Sequence, residues 1–370
     1  MSDRVAVIGS GIVGASAAYH LSLWGVAVTV VDRADAGQAT RAGAGIVCPW
    51  VDHEDDEDWY RLALEGARYH SRLAELLAED GEHDVGHARV GALLVAEDAA
   101  ELAGVHALLR DRRASAPDMG EISVVDRPAD LFPPLGPHLT ALHLGGASRV
   151  NGPAVRDALL RAAVRRGARV RQGTATLTGT GRTLVDGEPL DADAVVVAAG
   201  AWTGEVCGAL GCEPALAPRR GQIVHAELPG VETAGWPIVL PRRGPYLLGF
   251  PGSRVVLGAT VEDAGFDARV TAGGLAEVLA GGVELAPGLA GAGVVETRVG
   301  FRPVTADGLP LIGRLADGVV VATGLGAYGL TSGPYAGLVA AALALGQTPP
   351  LEVSPYSPGR TPRAGASSVS

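Results

Sequence analysis

The chain has few cysteines and no long apolar run, two features that would otherwise point directly to a disulfide-rich, metal-binding or membrane protein. Its 370 residues include only three cysteines, Cys48, Cys207 and Cys212, without a C-x-x-C pair, so the sequence indicates neither a disulfide scaffold nor a cysteine metal site. No apolar run approaches the ~20 residues of a membrane-spanning helix, and the first run is too short for a signal peptide. We therefore expect a cytoplasmic protein with buried, reduced thiols and no membrane partner.

Charge and missing motifs exclude further classes. A formal net charge of −11 argues against nucleic acid or an anionic membrane as the main partner. The sequence has no phosphate-binding P-loop, no Ser–His–Asp arrangement and no metal cluster, so we expect no metal. With 47% apolar and 19% charged residues the chain can bury a large core. Its length suggests two domains and leaves the oligomeric state open, monomer or homo-oligomer.

The stretch RVAVIGSGIVGASAAYHLSLWGVAVTVVDR at 4–33 organises the rest of the chain. It reads as a buried strand, a turn with G-x-G-x-x-G spacing, a helix, a second strand and an acid. Gly9 permits the tight turn, Gly11 lets the backbone approach a pyrophosphate, and Gly14 lets helix and strand pack closely. The helix start offers N–H groups to phosphates, and Asp32 suits a ribose hydroxyl. The pattern predicts a dinucleotide site but does not choose between NAD and FAD.

Further along, periodicity and turn residues predict an α/β protein with a second, more antiparallel part. We expect helices at 59–80, 99–113, 151–167 and 271–285, a β-meander at 174–191, buried strands within 192–204 and at 319–321, and an antiparallel sheet over 219–258. The small-residue loop 36–47 indicates a backbone that lines a flat group. The acidic run at 52–58 includes His53, which has no second histidine at ligand spacing, so we interpret the run as a solvated loop before a helix N-terminus.

Four motifs in this order resemble the D-amino-acid oxidase superfamily of flavoproteins, nearest its glycine oxidase branch. They are VAVIGSGIVGAS at 5–16, VVVAAGAWTG at 195–204, GFRPVTADGLPLIG at 300–313 and TGLGAYGLTSGP at 323–334. PRRGQ at 218–222 and GATVEDAGFD at 258–267 strengthen the match. The resemblance runs from Val5 to about Gly346 and implies FAD as the cofactor. The attachment should be non-covalent, because GFRPVT lacks the cysteine that related sarcosine oxidases use.

The resemblance implies an α/β fold, α+β overall, with an FAD-binding Rossmann-like βαβ domain that is discontinuous in sequence. The second domain is built on a mostly antiparallel sheet that covers the flavin ring. We assign 1–50, 140–217 and 305–350 to the FAD-binding domain and 51–139 and 218–304 to the substrate domain. The tail at 351–370 is expected to be partly disordered.

Matching the family motifs residue by residue implies a set of cofactor contacts along the whole chain. In the resembled family the glycine-rich turn and the acid hold the ADP half, and the last motif brings backbone N–H groups to the pyrimidine side of the flavin. The implied cofactor-binding residues are Gly9, Gly11, Ile12, Val13, Gly14, Asp32, Arg33, Thr40, Arg41, Ala44, Gly45, Ile46, Thr176, Ala199, Gly200, Trp202, Arg302, Ala327, Tyr328, Gly329, Leu330 and Thr331.

For the substrate, oxidation of an amine α to a carboxylate needs a cation that holds the carboxylate. Arg302 in GFRP is the best candidate, as a catalytic and substrate-binding residue, because its planar fork can bind a carboxylate in two places. In the resembled family an arginine of this motif does so. Arg242 and Arg243 are the runners-up, although their LPRRG turn favours a solvent role. No histidine or carboxylate is obviously required as a base.

Two positions depart from the glycine oxidase pattern and widen the predicted pocket. Ile238 stands where glycine oxidases often carry a tyrosine, and Ala327 stands where they carry an arginine. Tyr246 could restore a hydroxyl. We therefore expect glycine or an N-substituted glycine as substrate, with O2 reduced to H2O2. The alternatives are a D-amino-acid dehydrogenase that uses a quinone, a non-catalytic flavin-binding regulator and, least favoured, a plain NAD dehydrogenase.

Overall fold

The structure, a computed structural model, describes residues 3–53, 55–211 and 214–363. Helices and strands in these ranges are numbered in chain order. The α-helices are α1 Ile12–Leu23, α2 Ala39–Ala42, α3 Glu57–Glu79, α4 Ala103–Arg112, α5 Gly152–Arg165, α6 Thr203–Cys207, α7 Ala272–Leu285 and α8 Gly329–Ala344. Helices α1, α3, α4, α5 and α7 match the predicted helices, with a 3-10 turn at Ala99–Leu102 in front of α4, whereas α2 lies in the predicted loop 36–47 and α6 was not predicted.

The apolar runs of the sequence pair into one six-stranded sheet in the order β19-β20-β13-β1-β2-β9. Its strands are β1 Arg4–Ile8, β2 Ala27–Asp32, β9 Arg169–Gln172, β13 Ala194–Val197, β19 Leu311–Ala316 and β20 Val319–Thr323. All neighbours are parallel except β19 and β20. Helices α1, α5 and α8 cover one face and a small meander covers the other. Burial on both faces explains why these strands read as continuous apolar runs.

The antiparallel part forms an eight-stranded sheet in the order β18-β14-β17-β16-β15-β5-β7-β6. Its strands are β5 Ala92–Ala96, β6 Ile122–Val125, β7 Thr140–Leu144, β14 Leu216–Glu227, β15 Ile238–Pro241, β16 Tyr246–Phe250, β17 Arg254–Gly258 and β18 Gly293–Thr305. One pair, β5 with β15, is parallel. The three-stranded meander is β10 Ala175–Leu177, β11 Thr183–Val185 and β12 Glu188–Pro189. A second three-stranded sheet comprises β3 Ile46–Val47, β4 Ala88–Arg89 and β8 Ser148–Arg149.

Two segments pack with a different domain from the one to which the sequence assigned them. Helix α3, assigned to the substrate domain, buries Leu62, Leu73 and Leu77 in the core formed with α1 and α8. Strand β7, assigned to the FAD-binding segment, belongs to the eight-stranded sheet. In the tail, residues up to 363 pack on the body, with the Arg360 guanidinium 2.7 Å from the buried Asp307 carboxylate. The last seven residues lie outside the described ranges.

No helix in the described ranges is both long and apolar enough to cross a bilayer.

Candidate active site

A cavity of about 490 Å3 lies where the carboxyl ends of the parallel strands face the eight-stranded sheet. The turn after β1, the end of β2 and the loops after β13 and β20 form one side, and residues of β14, β15, β16 and β18 form the other. Ligands of open α/β sheets bind at this edge, because the connecting loops diverge there. The cavity therefore lies where the sequence predicted the cofactor.

Most of the predicted cofactor residues meet in this one cavity. Those that line it are Gly9, Gly11, Ile12, Val13, Asp32, Arg33, Thr40, Ala44, Gly45, Ile46, Ala199, Gly200, Trp202, Arg302, Ala327, Tyr328, Gly329, Leu330 and Thr331. Gly14, Arg41 and Thr176 lie outside the lining.

Each of the three glycines in the first turn is required for a different physical reason. Gly9 has φ +100°, and a Cβ there would stand 2.4 Å from the Ala198 carbonyl oxygen. A Cβ on Gly14 would stand 1.9 Å from the Gly9 carbonyl oxygen, so this glycine serves helix packing, as predicted, and need not line the cavity. A Cβ on Gly11 would meet only the Thr40 hydroxyl oxygen, at 3.4 Å. Gly11 thus leaves an open floor, which fits a pyrophosphate approaching the backbone.

Asp32 lies at the end of β2 and already accepts hydrogen bonds from its own neighbourhood. Its carboxylate oxygens accept from the backbone N–H groups of Ser10 and Ala34, both at 2.6 Å. These bonds fix the carboxylate at the cavity edge beside the glycine turn. Arg33 is held by Glu205 and Asp35, each at 2.6 Å. This end of the cavity, where the sequence predicts the adenosine half, is therefore held in place by its own hydrogen bonds and ion pairs.

Two of the predicted residues do not line the cavity because their side chains point to the other side of the strand or helix that carries them. In β10 the side chains alternate, so Ala175 and Leu177 are buried and Thr176 is exposed. Thr174 and Ala175 line the cavity in its place. In the short helix α2, Thr40 and Ala42 face inward, which leaves Arg41 on the solvent side. Thr40 also accepts from the Ile12 N–H at 2.9 Å, so that N–H is not available to a phosphate.

The opposite end of the cavity is formed by the start of α8 and by β3, which are hydrogen-bonded to each other. The Thr331 hydroxyl donates to the Ile46 carbonyl oxygen at 2.9 Å. Gly45 has φ +98°, and a Cβ there would stand 1.9 Å from the Val150 carbonyl oxygen, so the loop lies tightly against its neighbour. Tyr328 is the N-cap of α8, a helix of 16 residues. This helix N-terminus gives this end of the cavity a positive potential, which would favour the reduced, anionic flavin ring that the sequence predicts here.

Arg302 projects from β18 into the cavity without a carboxylate partner in the described ranges. Its Nη1 donates to the Thr260 carbonyl oxygen at 3.1 Å, and the guanidinium lies over Gly221. By contrast Arg220, which precedes the lining residue Gly221 on β14, forms ion pairs with Glu262 and Asp267. Two arginines of one sheet therefore have opposite roles: Arg220 is structural, and Arg302 keeps donors free for a ligand.

Tyr246 on β16 is brought next to Arg302, as the sequence-based assignment requires of two substrate residues. Burial raises the pKa of the Tyr246 phenol, and the neighbouring Arg302 guanidinium, which is hydrogen-bonded to it, opposes that rise. The phenol is therefore protonated at neutral pH. A protonated hydroxyl beside a guanidinium can donate a further hydrogen bond to a carboxylate.

The third predicted substrate residue, Ile238, does not reach the cavity. It is fully buried in the core beneath the eight-stranded sheet. Two and four positions along the chain, Leu240 and Arg242 line the cavity instead. Arg242 has no ion pair within the described part of the chain, and Arg243 lies outside the lining. Both arginines are exposed, in line with the predicted solvent role, but Arg242 also lines the cavity and so brings a second cation to its edge.

Sequence reasoning also missed Asp52 as a cavity residue. The run at 52–58 does place Asp56 at the N-cap of α3, where it accepts from the Trp59 N–H at 3.0 Å. Asp52, however, turns into the cavity and accepts from the Tyr328 hydroxyl. Burial, and then the Asp52 charge, raise the pKa of Tyr328 well above its usual range. The Glu54 position of the run lies outside the described residues.

The loop that carries Asp52 is fixed from below by one buried arginine. Arg112 donates to the carbonyl oxygens of Trp50, Asp52 and His53 at 2.8, 2.7 and 2.8 Å. His53 stacks on Trp59 with ring centroids 4.5 Å apart, so its ring takes part in an aromatic contact. No group of three or more histidine, cysteine or acidic side chains in the described ranges could hold a metal ion.

The residues fit FAD as the molecule that fills this cavity. The cavity is continuous from Asp32, at the nucleotide turn, to Arg302, and the missing Cβ of Gly11 leaves the floor open between them. Non-covalent attachment stays a prediction. Cys48 is the lining cysteine in the described ranges, and burial raises the pKa of its thiol, which disfavours a nucleophilic thiolate.

Buried histidines behind the flavin loop make stability sensitive to acid. His70 on α3 is bonded through Nε2 to the Leu330 carbonyl oxygen at 2.9 Å, and burial lowers its pKa from 6.5 to about 4. The unfolded chain therefore binds one proton more than the folded chain between those pH values. Stability is full above pH ~6.5 and falls toward pH 4, by about 1.4 kcal/mol per pH unit for this histidine.

We expect His70→Gln, which keeps a neutral donor, to flatten this dependence by about one proton. The measurement is the free energy of unfolding by urea at several pH values from 7 to 4. His83→Gln, at an exposed histidine, is the matched control and should keep the wild-type slope. An identical slope in His70→Gln and wild type would show that His70 does not carry the effect.

Comparison with known proteins agrees with this geometry. A family model described as FAD-dependent oxidoreductase (DAO) matches residues 4–343. The solved structure of iminodiacetate oxidase from Chelativorans sp. BNC1 is similar, with a TM-score of 0.94 and 45% identity, covering 96% of this chain and 99% of that one. An uncharacterised oxidoreductase of Bacillus subtilis is 46% identical over 362 residues, 95% of this chain and 97% of its own. Glycine oxidase of Pseudomonas putida is 31% identical over 378 residues, 97% of this chain and 99% of its own. The predicted fold class and FAD cofactor are confirmed.

Proposed function

The chain belongs to the DAO family of FAD-dependent oxidoreductases, and on that premise we propose that it oxidises the C–N bond of an N-substituted glycine carrying a second carboxylate. The observation that carries the proposal is that Arg302 and Arg242 line one cavity, each without a carboxylate partner in the described ranges. Iminodiacetate, an amine with two carboxymethyl arms, is the simplest substrate of this class. It is also the substrate named for the similar structure from Chelativorans.

In this proposal Arg302 binds the carboxylate of the arm that is oxidised. Its fork can make two parallel charge-assisted hydrogen bonds, and Tyr246 adds a neutral donor beside it. Arg242 binds the second carboxylate, which glycine and sarcosine lack. Leu240, Ile223 and Val261 give the cavity apolar walls, and Ala327 leaves the space that a larger side chain would fill. The two cations select the dicarboxylate, and the walls exclude water from the reacting carbon.

Bound FAD would supply hydride acceptance from the carbon α to the nitrogen. The residues do the positioning and need not provide a strong base. No histidine lines the cavity in the described ranges, and three of its four lining carboxylates, Asp32, Asp35 and Glu205, belong to the nucleotide end. The fourth, Asp52, is bonded to Tyr328. The whole chain contains no lysine, so an amine base is excluded as well. The substrate nitrogen is therefore expected to react as the neutral amine.

The net reaction of the proposal converts an N-substituted glycine, O2 and water into glyoxylate, the remaining primary amine and H2O2. With iminodiacetate the amine product is glycine. Glycine oxidase is a relative, which favours O2 as acceptor. A D-amino-acid dehydrogenase using a quinone remains the second candidate for the acceptor, and H2O2 formed with O2 alone distinguishes the two.

Arg242→Gln tests the dicarboxylate preference. We expect kcat/KM for iminodiacetate to fall about tenfold or more, equivalent to ~1.4 kcal/mol, because one charge-assisted contact is lost. The value for sarcosine, which has one carboxylate, should change little. Arg243→Gln, at the exposed neighbouring arginine, should leave both substrates unaffected. An equal fall for both substrates in Arg242→Gln would assign Arg242 to general folding of the site rather than to the second carboxylate.

A further inference from the structure

A second cavity of about 350 Å3 lies behind the flavin loop, between the start of α5 and the sheet formed by β14, β16 and β17. It shares only Gly43 and Ala44 with the first cavity. Its basic lining residues are Arg149, Arg254, Arg298 and His225. Asp84 is the one carboxylate among its described lining residues. The lining is thus cationic, whereas the chain as a whole carries a net charge of −11.

Arg149 is the strongest sign that this cavity holds an anion. Its side chain is only 4% exposed, and it has no ion pair in the described ranges. Nη2 donates to the Ala234 carbonyl oxygen at 2.8 Å and the guanidinium lies 4.7 Å from the centre of the Phe250 ring, but Nε has no partner. Burying a guanidinium without a counter-charge is costly. A ligand that supplied a negative charge would offset that cost.

The two other arginines, Arg254 and Arg298, add positive charge to the second cavity. The Arg254 side chain makes neither a hydrogen bond nor an ion pair with any described residue. Arg298 pairs with Glu296 at 2.8 Å and donates to the Arg41 carbonyl oxygen at 3.0 Å. Glu296 therefore neutralises one arginine, and Asp84 is occupied by the Gly86 N–H at 3.1 Å. Arg149 has no carboxylate partner in the described ranges, and Arg254 feels the Glu296 charge only from beyond ion-pair distance.

His225 and α5 contribute polar groups at the same place. His225 is 9% exposed and its Nε2 has no hydrogen-bond partner in the described ranges. Burial first, and then Arg298 and Arg254, lower its pKa to about 4, against an opposing effect of Glu296. The ring is thus neutral at neutral pH and can donate a hydrogen bond. The first residues of α5, a helix of 14 residues, also line the cavity with the positive end of the helix dipole.

We propose that this second cavity binds a small oxyanion, a carboxylate or a phosphate, held chiefly by the Arg149 and Arg254 guanidiniums. The site is separate from the one that takes the amine. Because Gly43 and Ala44 form its common wall with the cofactor cavity, a bound anion would lie directly behind the loop that lines the flavin ring. The proposal does not depend on which amine the enzyme oxidises.

The test is calorimetric titration of the FAD-loaded protein, in an Arg302→Met background that removes the substrate clamp. Inorganic phosphate and glyoxylate are titrated separately. We expect saturable binding to one site for at least one of these probes, weakened about tenfold or more in Arg149→Met and in Arg254→Met. Arg243→Met, an exposed arginine outside both cavities, should bind as the parent does.

The two probes and the two variants separate the possible results. Binding of phosphate alone would identify a tetrahedral anion, and binding of glyoxylate, alone or with phosphate, would identify a carboxylate site; each supports the proposal. If Arg149→Met fails to fold, Arg254→Met decides, because the Arg254 side chain has no hydrogen bond to lose. Absence of saturable binding with both probes, or binding that Arg254→Met leaves unchanged, would overturn it.

Discussion

Replacing Arg302 with methionine should lower kcat/KM for an N-substituted glycine by about 2–4 kcal/mol, roughly 30- to 1000-fold, mainly through KM. The guanidinium faces the cavity over Gly221 and is hydrogen-bonded to the Thr260 carbonyl oxygen and to Tyr246, so its remaining donors are available to a carboxylate. Methionine keeps the apolar stem and removes the charge and the fork. Steady-state kinetics with the yellow, FAD-loaded variant gives the measurement.

Two further variants make the Arg302 result specific. Arg302→Lys keeps a charge without the planar fork and should recover only part of the loss. Arg219→Met removes the arginine that pairs with position 302 across the β14–β18 ladder but is bound to Asp263 at 3.1 Å. It should keep the wild-type KM. An unchanged KM in Arg302→Met itself would remove this residue from the substrate site.

The second large effect concerns the cofactor. Gly11→Ala should weaken FAD binding by at least about tenfold, or 1.4 kcal/mol, while the melting temperature of the apoprotein stays the same. The backbone at Gly11 is in an ordinary region, φ −63°, so alanine is tolerated there. Its methyl group would occupy the open floor near the Thr40 hydroxyl rather than strike the protein. Fluorescence titration of apoprotein with FAD, beside a thermal melt, measures both quantities.

Gly14→Ala is the matched control for that experiment. Its methyl group would overlap the Gly9 carbonyl oxygen, so this variant should lower the melting temperature even without cofactor. The pair separates a glycine that the ligand requires from a glycine that packing requires. If Gly11→Ala bound FAD as tightly as wild type, the pyrophosphate would have to lie elsewhere.

Much of the fold could be predicted because local and global signals agree. The apolar runs ending in glycine predicted parallel strands buried on both faces, and the helices predicted at 151–167 and 271–285 start in the structure at the N-caps Asn151 and Thr271. The order of the four motifs placed Gly9, Asp32, Gly200 and Tyr328 at one edge of the sheet, where the structure has them. These predictions depend on short-range patterns and on the rule that ligands bind at that edge.

The parts that could not be predicted depend on long-range packing. Thr176 was misassigned because, in a strand of three residues, the sequence does not say which phase faces inward. Ile238 was misjudged because β15 pairs in parallel with the distant β5, which buries the start of β15 and leaves its end, Leu240 and Pro241, at the cavity. The contact of Asp52 with Tyr328 joins residues far apart in the chain, and no local pattern marks it.

The most direct test of the proposed function is a side-by-side assay of iminodiacetate and glycine with the purified FAD-loaded protein and O2. We predict that iminodiacetate is oxidised with a kcat/KM at least about tenfold above that of glycine. It should yield glyoxylate, glycine and H2O2 in equal amounts. Rapid oxidation of glycine with no oxidation of iminodiacetate or other N-substituted glycines would contradict the account.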